Sequence, residues 1–437
     1  MTAIDTAVFG ISGKLSDLSA PQRETLLSRA KQNVGAVRES VSRIIERVRR
    51  DGDGALREMS REFDGVTLSE IEVPRPDVHA ALESIGPELR AALERAARNI
   101  RTVHEAAPPK TIEVESEVGV VVGRRPDPLS RVGVYAPGGR AAYASSVLMC
   151  AVPARVAGVR EVIVCSPPTA SGYPSAIVLA ACAIANVDRV FAIGGAGAVA
   201  AMAYGTPSVP RVDRIVGPGN AYVAESKLQV MSAVGIDSPA GPSELLVICD
   251  ASASASRIAA EAIAQAEHDS DACVVIVAVD ESVAAEIEGE ISRQLESAPR
   301  AEIARAALRA NGARLVAGST DDAIEFASAY APEHLLLALS NADKWLGAIR
   351  NAGCVFVGES SSVVFGDYIS GGNHVLPTGG LARSYSGLGQ LDFVRWTTYQ
   401  RVSSDAAVSL ARDAALLADA EGLPGHASAA RAWEAAR

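Results

Sequence analysis

The chain has 437 residues and a net charge of −11, with 48% hydrophobic and 21% charged residues. This length predicts a globular protein of more than one domain, and the acidic charge excludes a basic face for nucleic acid or anionic lipid. The polar N-terminus lacks the basic start and apolar core of a secretory signal, and no apolar run approaches the ~20 residues that span a bilayer. The sequence therefore predicts a cytoplasmic protein whose partner is a small molecule.

The first quarter of the chain has a helical pattern. Apolar residues three and four apart predict helices from Pro21 to about Ala107, interrupted by one short strand in VTLSEIEV. The next stretch, IEVESEVGVVVGRRPDPLSRVGVYAPGG, predicts extended segments separated by turns. Three strand-like segments follow, EVIVC, RVFAI and DRIVG, and each leads into an Ala-rich helical segment. This alternation is typical of a parallel sheet with crossover helices.

The alternation stops at IDSPAGP and then resumes. The strand-like segments LLVICD and CVVIVAV surround a predicted helix from Ser254 to Asp269, and another helix follows. Two runs of strand and helix therefore predict two α/β units that meet near Asp237 to Pro242. From about Asp405 the tail predicts helix with a break from Leu423 to Gly425.

The cysteines give no sign of a metal or redox site. They are scattered without CxxC spacing and lie mostly in apolar segments, which predicts buried free thiols. A catalytic cysteine is disfavoured because no electropositive neighbourhood surrounds any of them. The six are Cys150, Cys165, Cys182, Cys249, Cys273 and Cys354.

Three glycine loops fall in the first α/β unit. FAIGGAGAVAAMAYG contains Gly195, Gly197 and Ala200 as a G-x-G-x-x-A after a strand, with Asp213 near the distance of an acidic ribose ligand. Such a turn can bind a pyrophosphate at a helix N-terminus, but glycines also make ordinary tight turns between strand and helix. YAPGG and GPGNAYV have the same form. Three such turns in one unit favour a nucleotide cleft there.

Four of the six histidines lie beside polar clusters, whereas His79 and His104 lie in charged helices and are predicted to be surface residues. Gln265 and His268 are three apart on a predicted helix and could bind one metal ion, although glutamine is an unusual ligand. The other pairs are Asp367 with His374, which flank a Gly-rich turn, and Glu421 with His426, five apart in the tail. Each of these also has an ordinary explanation as a cap, turn or surface residue.

The stretch APEHLLL places Glu333 beside His334 just before an apolar run. One interpretation is that Pro332 begins a helix, with Glu333 in its first turn facing the positive end of the helix dipole. His334 would then be a surface residue. The alternative is that the carboxylate and imidazole act together as acid and base.

Long motifs across nearly the whole chain favour the second interpretation. In order they are VGVYAPGG, GPGN, PAGPSE, QAEH, APEHL, SGGNHVLPTGG and EGLPGHA. Together they resemble the histidinol dehydrogenase family of histidine biosynthesis. So many motifs in order are far more specific than any single glycine loop.

The resemblance implies an α/β homodimer built of two related incomplete Rossmann-like domains, one inserted in the other. By this similarity residues 1–25 form an N-terminal segment, 26–133 with 243–380 the first domain carrying the catalytic and zinc residues, 134–242 the inserted NAD-binding domain, and 381–437 a helical C-terminal segment that crosses to the partner's site. This crossing would explain why Glu421 and His426 lie on a tail with little local core.

The family oxidises L-histidinol to L-histidine in two hydride transfers to two NAD+, with one Zn²⁺ per subunit. The resemblance implies Gln265, His268, Asp367 and His426 as zinc ligands, and Ser243, His334 and Glu421 with those ligands as the substrate site. It also implies that His334 and Glu333 are the acid/base pair, and that Tyr135 and Asn220 contact NAD. The family's GGAQA motif has glutamine where this chain has Gly197. The contact with NAD at this position would therefore have to come from the backbone or from water.

The residue types suit this chemistry. A neutral imidazole can take the alcohol proton as hydride leaves, and a carboxylate beside it can deprotonate the water that adds to the aldehyde. Histidinol carries an imidazole and an amine, both good zinc donors, so the metal would act chiefly as a template. The rival interpretations are a zinc hydrolase with Glu333 as base and a non-catalytic metabolite-binding α/β protein.

Overall fold

Segments rich in Val, Ile and Leu form the strands of the protein, whose computed structural model describes residues 7–29, 34–138 and 142–434. In those residues the strands are β1 (Ile11–Lys14), β2 (Glu72–Val73), β3 (Ile112–Glu117), β4 (Val120–Pro128), β5 (Arg131–Tyr135), β6 (Glu161–Cys165), β7 (Arg189–Phe191), β8 (Arg214–Val216), β9 (Gly235–Ile236), β10 (Glu244–Cys249), β11 (Cys273–Ala278), β12 (Ala313–Val316), β13 (His334–Ala338), β14 (Cys354–Val357) and β15 (Val394–Val402).

Several helices begin at residues whose side chains cap a helix N-terminus. Ser19, Asn220, Asp280, Ser319 and Ser403 each accept a backbone N–H of the first turn. The helices of the described residues are α1 (Ala20–Leu27), α2 (Val34–Asp51), α3 (Asp53–Met59), α4 (Arg75–Ser84), α5 (Pro87–Glu105), α6 (Ala144–Val156), α7 (Ala176–Ile184), α8 (Gly195–Tyr204), α9 (Ala221–Val230), α10 (Ala255–Ala266), α11 (Glu281–Leu295), α12 (Ala301–Asn311), α13 (Thr320–Tyr330), α14 (Ala342–Leu346), α15 (Val363–Tyr368), α16 (Ser404–Ala420) and α17 (Pro424–Arg431).

Sheet A contains β1, β12, β11, β10, β13 and β14 in that order, and all its pairs are parallel. Every residue of β10 and β11 is buried, because helices cover both faces of a parallel sheet. Alternate residues of β10 serve opposite faces: Leu245 packs in one cluster with Ile258 of α10, and Leu246 in another with Phe326 of α13.

Sheet B contains β2, β7, β6, β5, β8 and β9 in that order. Its pairs are parallel except for β2, which pairs with β7 in the antiparallel sense. The predicted fold class, α/β with two parallel-sheet units, is therefore confirmed.

The N-terminal helices pack on sheet B. Val41 of α2 and Ile100 of α5 share one core cluster with Val132 and Val164 of sheet B. In this packing α2 lays its apolar stripe against α8 and α9, and α5 lies against α6. The predicted domain boundaries, including the grouping of residues 26–133 with residues 243–380, stay predictions.

A second compact unit is formed by Ala107–Pro128 and Val394–Arg437. In it β15, β4 and β3 make an antiparallel sheet C, and α16 packs against α17. The sequence analysis predicted only helix in residues 381–437 and so missed β15. The segment VRWTTYQRV has strand-favouring residues, but its partner β4 lies far away in the chain, so a local pattern could not reveal the pairing.

Smaller differences concern the lengths of elements. The strand predicted in VTLSEIEV is reduced to the edge strand β2, and β1 was not predicted. The helix predicted from Ser254 to Asp269 ends at Ala266. The predicted break in the tail lies between Ala420 and Pro424.

The six cysteines are free, and all but the partly exposed Cys354 are buried, as predicted. Burial raises the pKa of the Cys150, Cys165 and Cys182 thiols well above the usual range, which makes them poor nucleophiles. Among the described residues, no helix is both long enough and apolar enough to cross a membrane.

A buried ion pair lies beside the GPGN loop, which follows β8 of sheet B. Lys227 of α9 pairs with Asp237, and each side chain is 3% exposed. Both bind the backbone of Gly217: Lys227 Nζ donates to its carbonyl at 2.9 Å and its N–H donates to Asp237 Oδ2 at 2.7 Å. Burial raises the pKa of Asp237, while the Lys227 charge opposes that rise. The pair thus fixes one glycine of a predicted cofactor loop.

We expect Lys227→Met to destabilise the protein by about 3–5 kcal/mol, because it leaves a buried carboxylate without its cation. Lys227→Met/Asp237→Leu, which removes both charges, should recover most of that loss. Calorimetric Tm values measure both effects. Arg189→Met is the control, since the Arg189–Glu72 pair is 32% and 41% exposed and should contribute only about 0–1 kcal/mol. Equal Tm losses for Lys227→Met and Arg189→Met would contradict this prediction.

Candidate active site

The Glu333–His334 pair lies where α13 turns into β13, at the amino end of that strand. The helix proposed to begin at Pro332 does not form; Pro332 and Glu333 belong to the turn, and His334 begins the strand. Both side chains are buried, Glu333 at 6% and His334 at 4% exposure. The interpretation of His334 as a surface residue was therefore wrong.

The neighbouring strand β10 fixes both side chains. Glu244 N–H donates to Glu333 Oε2 at 2.7 Å, and His334 Nδ1 lies 2.9 Å from the Glu244 carbonyl oxygen. Because a carbonyl oxygen only accepts, Nδ1 must carry a proton. Nε2 is then the nitrogen whose protonation can change, and its orientation is set by β10.

His334 Nε2 points toward Asp367 of α15. It lies 3.3 Å from Asp367 Oδ1, yet within the described part of the chain it has no hydrogen-bond partner. An unpaired nitrogen in a buried position is costly in a finished core. It is therefore placed to exchange a proton with a group that enters the site.

The charges around the pair shift its pKa values. Burial lowers the pKa of His334, but the Glu333 and Asp367 carboxylates outweigh burial and raise this pKa well above its usual value. Burial raises the pKa of Glu333, and the His334 charge opposes that rise. The pKa of Asp367 is lowered although burial acts in the opposite direction, because His334, His374 and His268 surround it.

Three of the four residues implied as zinc ligands are in the first compact unit, Met1–Ala106 with Leu129–Phe393. Gln265 lies at the end of α10, 3% exposed, and its Nε2 has no hydrogen-bond partner among the described residues. His268 lies two residues beyond the helix, so the two predicted ligands straddle its C-terminus rather than sharing one helical face. The charges of His268 and Asp367 influence each other's pKa values.

The imidazole of His268 and the carboxylate of Asp367 are ordinary zinc ligands, whereas the amide oxygen of Gln265 is an unusual one. The side-chain amide of Gln265 is buried and unpaired, which fits a metal ion as its missing partner. The amide oxygen and nitrogen can be exchanged in assignment, so the oxygen can occupy the unpaired position. Within residues 7–29, 34–138 and 142–434, however, no group of three or more His, Cys, Asp or Glu side chains could hold a metal ion.

The remaining predicted site residues lie at different places. Ser243 precedes β10 and is partly exposed, whereas Glu421 and His426 belong to the second compact unit and are exposed. Of the two predicted surface histidines, His79 is exposed, as predicted, but His104 is partly buried, and burial lowers its pKa.

The glycine loops meet at the carboxyl ends of the sheet B strands. The Tyr135 side chain is buried, and its hydroxyl accepts a hydrogen bond from Gly195 N–H at 3.1 Å. Burial raises the pKa of Tyr135 to about 12, so the phenol stays protonated. Gly217 has φ +116°, and a Cβ there would lie 2.2 Å from the Tyr135 carbonyl oxygen. The loops are thus packed on one another, although Gly139 of YAPGG lies outside the described residues.

The G-x-G-x-x-A reading fails for physical reasons. Gly197 is buried inside α8, and a Cβ on it would meet Met59 Sδ at 3.0 Å. Asp213 accepts hydrogen bonds from the Ser130 and Arg131 N–H groups at the amino end of β5, the opposite edge from the glycine loops. It therefore cannot serve as a ribose ligand. Asn220 accepts from Tyr222 and Val223 N–H and caps α9.

Sequence reasoning missed Glu244 and Arg29. Glu244 was passed over within PAGPSE in favour of Ser243, yet its side chain is buried and pairs with Arg29. A charged residue that opens a fully apolar strand is itself a signal, since such residues are buried only when they are paired. No local signal indicated Arg29.

These features define an α/β protein with a buried carboxylate–imidazole pair on one sheet and three glycine loops on the other. The profile of the family described as histidinol dehydrogenase matches residues 27–433. Histidinol dehydrogenase of Methanosarcina mazei is 47% identical over 420 residues, 96% of each chain, and that of Bordetella parapertussis 46% over 399 residues, 91% of this chain and 90% of the relative. The crystal structure of histidinol dehydrogenase from Elizabethkingia anophelis superposes with a TM-score of 0.92 at 33% identity, covering 98% of both chains.

The chain therefore belongs to the histidinol dehydrogenase family. It is an enzyme, an NAD-dependent oxidoreductase of that family. The resemblance seen in the sequence motifs is confirmed.

We expect Gly217→Ala to displace the GPGN loop, because the substitution adds a clash with Tyr135 to the strain of a positive φ. Gly172→Ala is the matched control: Gly172 has φ +85°, and a Cβ there would meet nothing within 4 Å. Strain alone should cost about 1–2 kcal/mol. Gly217→Ala should lower Tm further and speed amide exchange in residues 217–223. Equal Tm values for the two variants would show that the close approach to Tyr135 is not a constraint.

Proposed function

We propose that the chain oxidises L-histidinol to L-histidine through a bound histidinal, passing two hydrides in turn to two NAD+, as the last steps of histidine biosynthesis. The observation that carries this proposal is the buried Glu333–His334 pair, in which Glu244 fixes Nδ1 as a donor and leaves Nε2 facing the site. Membership of the family supports the substrate. The cytoplasmic location stays a prediction.

His334 takes the first proton in this proposal. As the C–H bond of the alcohol breaks and hydride leaves for NAD+, the hydroxyl proton passes to His334 Nε2. The imidazole must be neutral at that moment, yet the carboxylates of Glu333 and Asp367 favour its charged form. A bound Zn²⁺ would supply an opposing positive charge at Asp367 and hold the imidazole and amine of histidinol.

Glu333 acts in the second step. Burial raises its pKa toward the working range of a general base. It deprotonates the water that adds to the aldehyde carbon, and the hydrated aldehyde then loses hydride to a second NAD+. Because Glu333 Oε2 is held by Glu244 N–H, the carboxylate is positioned before either step begins.

The cofactors would lie at the residues named from the resemblance. For zinc we propose Gln265, His268, Asp367 and the partner subunit's His426, one ion per subunit of a homodimer. The buried, unpaired side-chain amide of Gln265 supports this assignment. NAD+ would bind at the sheet B loops near Tyr135, Gly197 and Asn220, with backbone groups or a water replacing the side chain that Gly197 lacks. Ser243 and Glu421 complete the proposed substrate contacts.

The test is an assay with L-histidinol and NAD+ that follows the absorbance of the reduced nicotinamide. The proposal requires two NADH for each histidinol consumed and loss of activity after exhaustive chelation, restored by zinc. A zinc hydrolase or a metabolite-binding protein would produce no NADH. Full activity in the chelated enzyme would refute the metal assignment alone.

We expect Glu333→Gln to impair oxidation of added histidinal more than oxidation of histidinol to the aldehyde. The amide oxygen can still accept from Glu244 N–H, so the geometry is kept while the basicity is lost. Single-turnover rates on each substrate measure the difference. Glu325→Gln, the same change on the exposed side of α13, is the control and should leave both rates unchanged. Equal losses on both substrates would count against separate roles for Glu333 and His334.

We expect His334→Ala and His426→Ala to be nearly inactive alone and to regain activity when mixed. If the partner subunit's His426 completes each site, a heterodimer has one site with both lesions and one with neither. Random reassortment in a C2 dimer should restore roughly a quarter of wild-type activity. The variants are unfolded together, refolded with zinc and assayed beside each variant refolded alone. Heterodimers that form without regaining activity would show that each site is built within one chain.

A further inference from the structure

Arg29 and Glu244 form a buried ion pair behind the Glu333–His334 pair. Arg29 Nε and Nη2 lie 2.9 and 2.7 Å from the two carboxylate oxygens of Glu244, and the side chains are 6% and 3% exposed. The guanidinium carbon also lies 3.5 Å from the centroid of the Tyr330 ring. Two charges enclosed in this way are tolerated only when each is fully bonded, so the contacts they make show what the pair holds.

Glu244 contacts both members of the catalytic pair. Its carboxylate accepts the N–H groups of Gly379 at 2.7 Å and Glu333 at 3.3 Å. Its own N–H donates to the Glu333 side chain, and its carbonyl accepts from the His334 ring. One residue thus fixes the backbone and the carboxylate of Glu333 together with the imidazole of His334.

Arg29 holds the turn from which the pair emerges. Its Nη1 donates to the Tyr330 carbonyl at 3.0 Å and its Nη2 to the Ala331 carbonyl at 3.3 Å. Ala331 has φ +52°, a left-handed conformation that costs a non-glycine residue about 1–2 kcal/mol. The guanidinium therefore stabilises an unfavourable backbone conformation two residues before Glu333.

We propose that the Arg29–Glu244 pair positions Glu333 and His334 for proton transfer, with both residues acting as positioning residues that do not touch the substrate. The inference rests on the proposed function. Parallel pairing of β10 with β13 is made by the backbone and does not need these side chains. The pair instead sets the turn and the angle at which the two catalytic side chains leave it.

The main variant is Arg29→Met/Glu244→Met. Arg29→Met alone leaves a buried carboxylate without its cation and can prevent folding, whereas replacing both members of a buried pair by apolar residues is often neutral for stability. We expect the double variant to fold and bind zinc like the wild type, with an unchanged KM for histidinol. Its kcat should fall by about 100-fold, the scale of a misplacement near 1 Å.

Two further variants separate positioning from general stability. Ile248→Ala, at the other end of β10 and fully buried, leaves a cavity without touching the pair, so Tm should fall while kcat below the transition is kept. Arg29→Lys keeps the charge but not the fork of two hydrogen bonds, and should give an intermediate kcat. If Ile248→Ala lost kcat as the double variant does, loss of stability would explain both results and the proposal would be overturned.

A readout that needs no substrate completes the experiment. Amide exchange of residues 331–338, measured by mass spectrometry, should be faster in the double variant than in the wild type, since Glu333 N–H loses its acceptor. Unchanged exchange with unchanged kcat would overturn the proposal. If the wild type failed to oxidise histidinol with NAD+, the proposed function would fail, while the exchange rates would still decide whether the pair holds the turn.

Discussion

The contact between Glu244 and the turn before β13 is the constraint on which the site depends. Backbone groups of a single residue at the start of β10 bind the Glu333 carboxylate and the His334 ring. This is possible only because β10 and β13 are adjacent parallel strands in register, with Leu245 opposite His334. The sheet therefore does more than carry the two proposed catalytic residues: it determines that Nδ1 of the imidazole bears the fixed proton and that Nε2 faces Asp367.

The same geometry explains why two charged side chains are buried so deeply. Backbone groups of Glu244 bind the Glu333 carboxylate and His334 Nδ1, which offsets part of the desolvation cost of the pair. The resulting pKa shifts follow from this arrangement, since burial raises that of Glu333 and the two carboxylates raise that of His334. Such shifts are common at catalytic sites, but the raised pKa of Asp237 shows that a structural ion pair has them too, so the geometry of the pair carries the argument.

Sequence reasoning recovered the features that have a local pattern. The βαβ alternation predicted both parallel sheets because strands buried on both faces read as apolar runs between helices. The position of His334 required more than a local pattern, since Pro332 equally suits a helix start; the ordered motifs decided between the two interpretations. Arg29 was missed because its partner Glu244 lies 215 residues away in the chain, and β15 was missed because it pairs with β4. Contacts between distant segments leave no periodicity in either one.

The proposed site residues lie at opposite edges of the two sheets. The loop that contains Asn373 and His374 connects these edges. Glu333 and His334 lie at the amino edge of sheet A, while the glycine loops lie at the carboxyl edge of sheet B. Asn373 Nδ2 donates to the Met149 carbonyl of α6, the helix that follows the YAPGG loop, at 2.7 Å. His374 contacts both segments. Its Nε2 lies 3.1 Å from the Ser146 hydroxyl of α6, and its Nδ1 lies 2.8 Å from the Asp367 carbonyl oxygen. Asn373 and His374 thus connect α6 by hydrogen bonds to the backbone of Asp367, the residue whose carboxylate lies 3.3 Å from His334 Nε2.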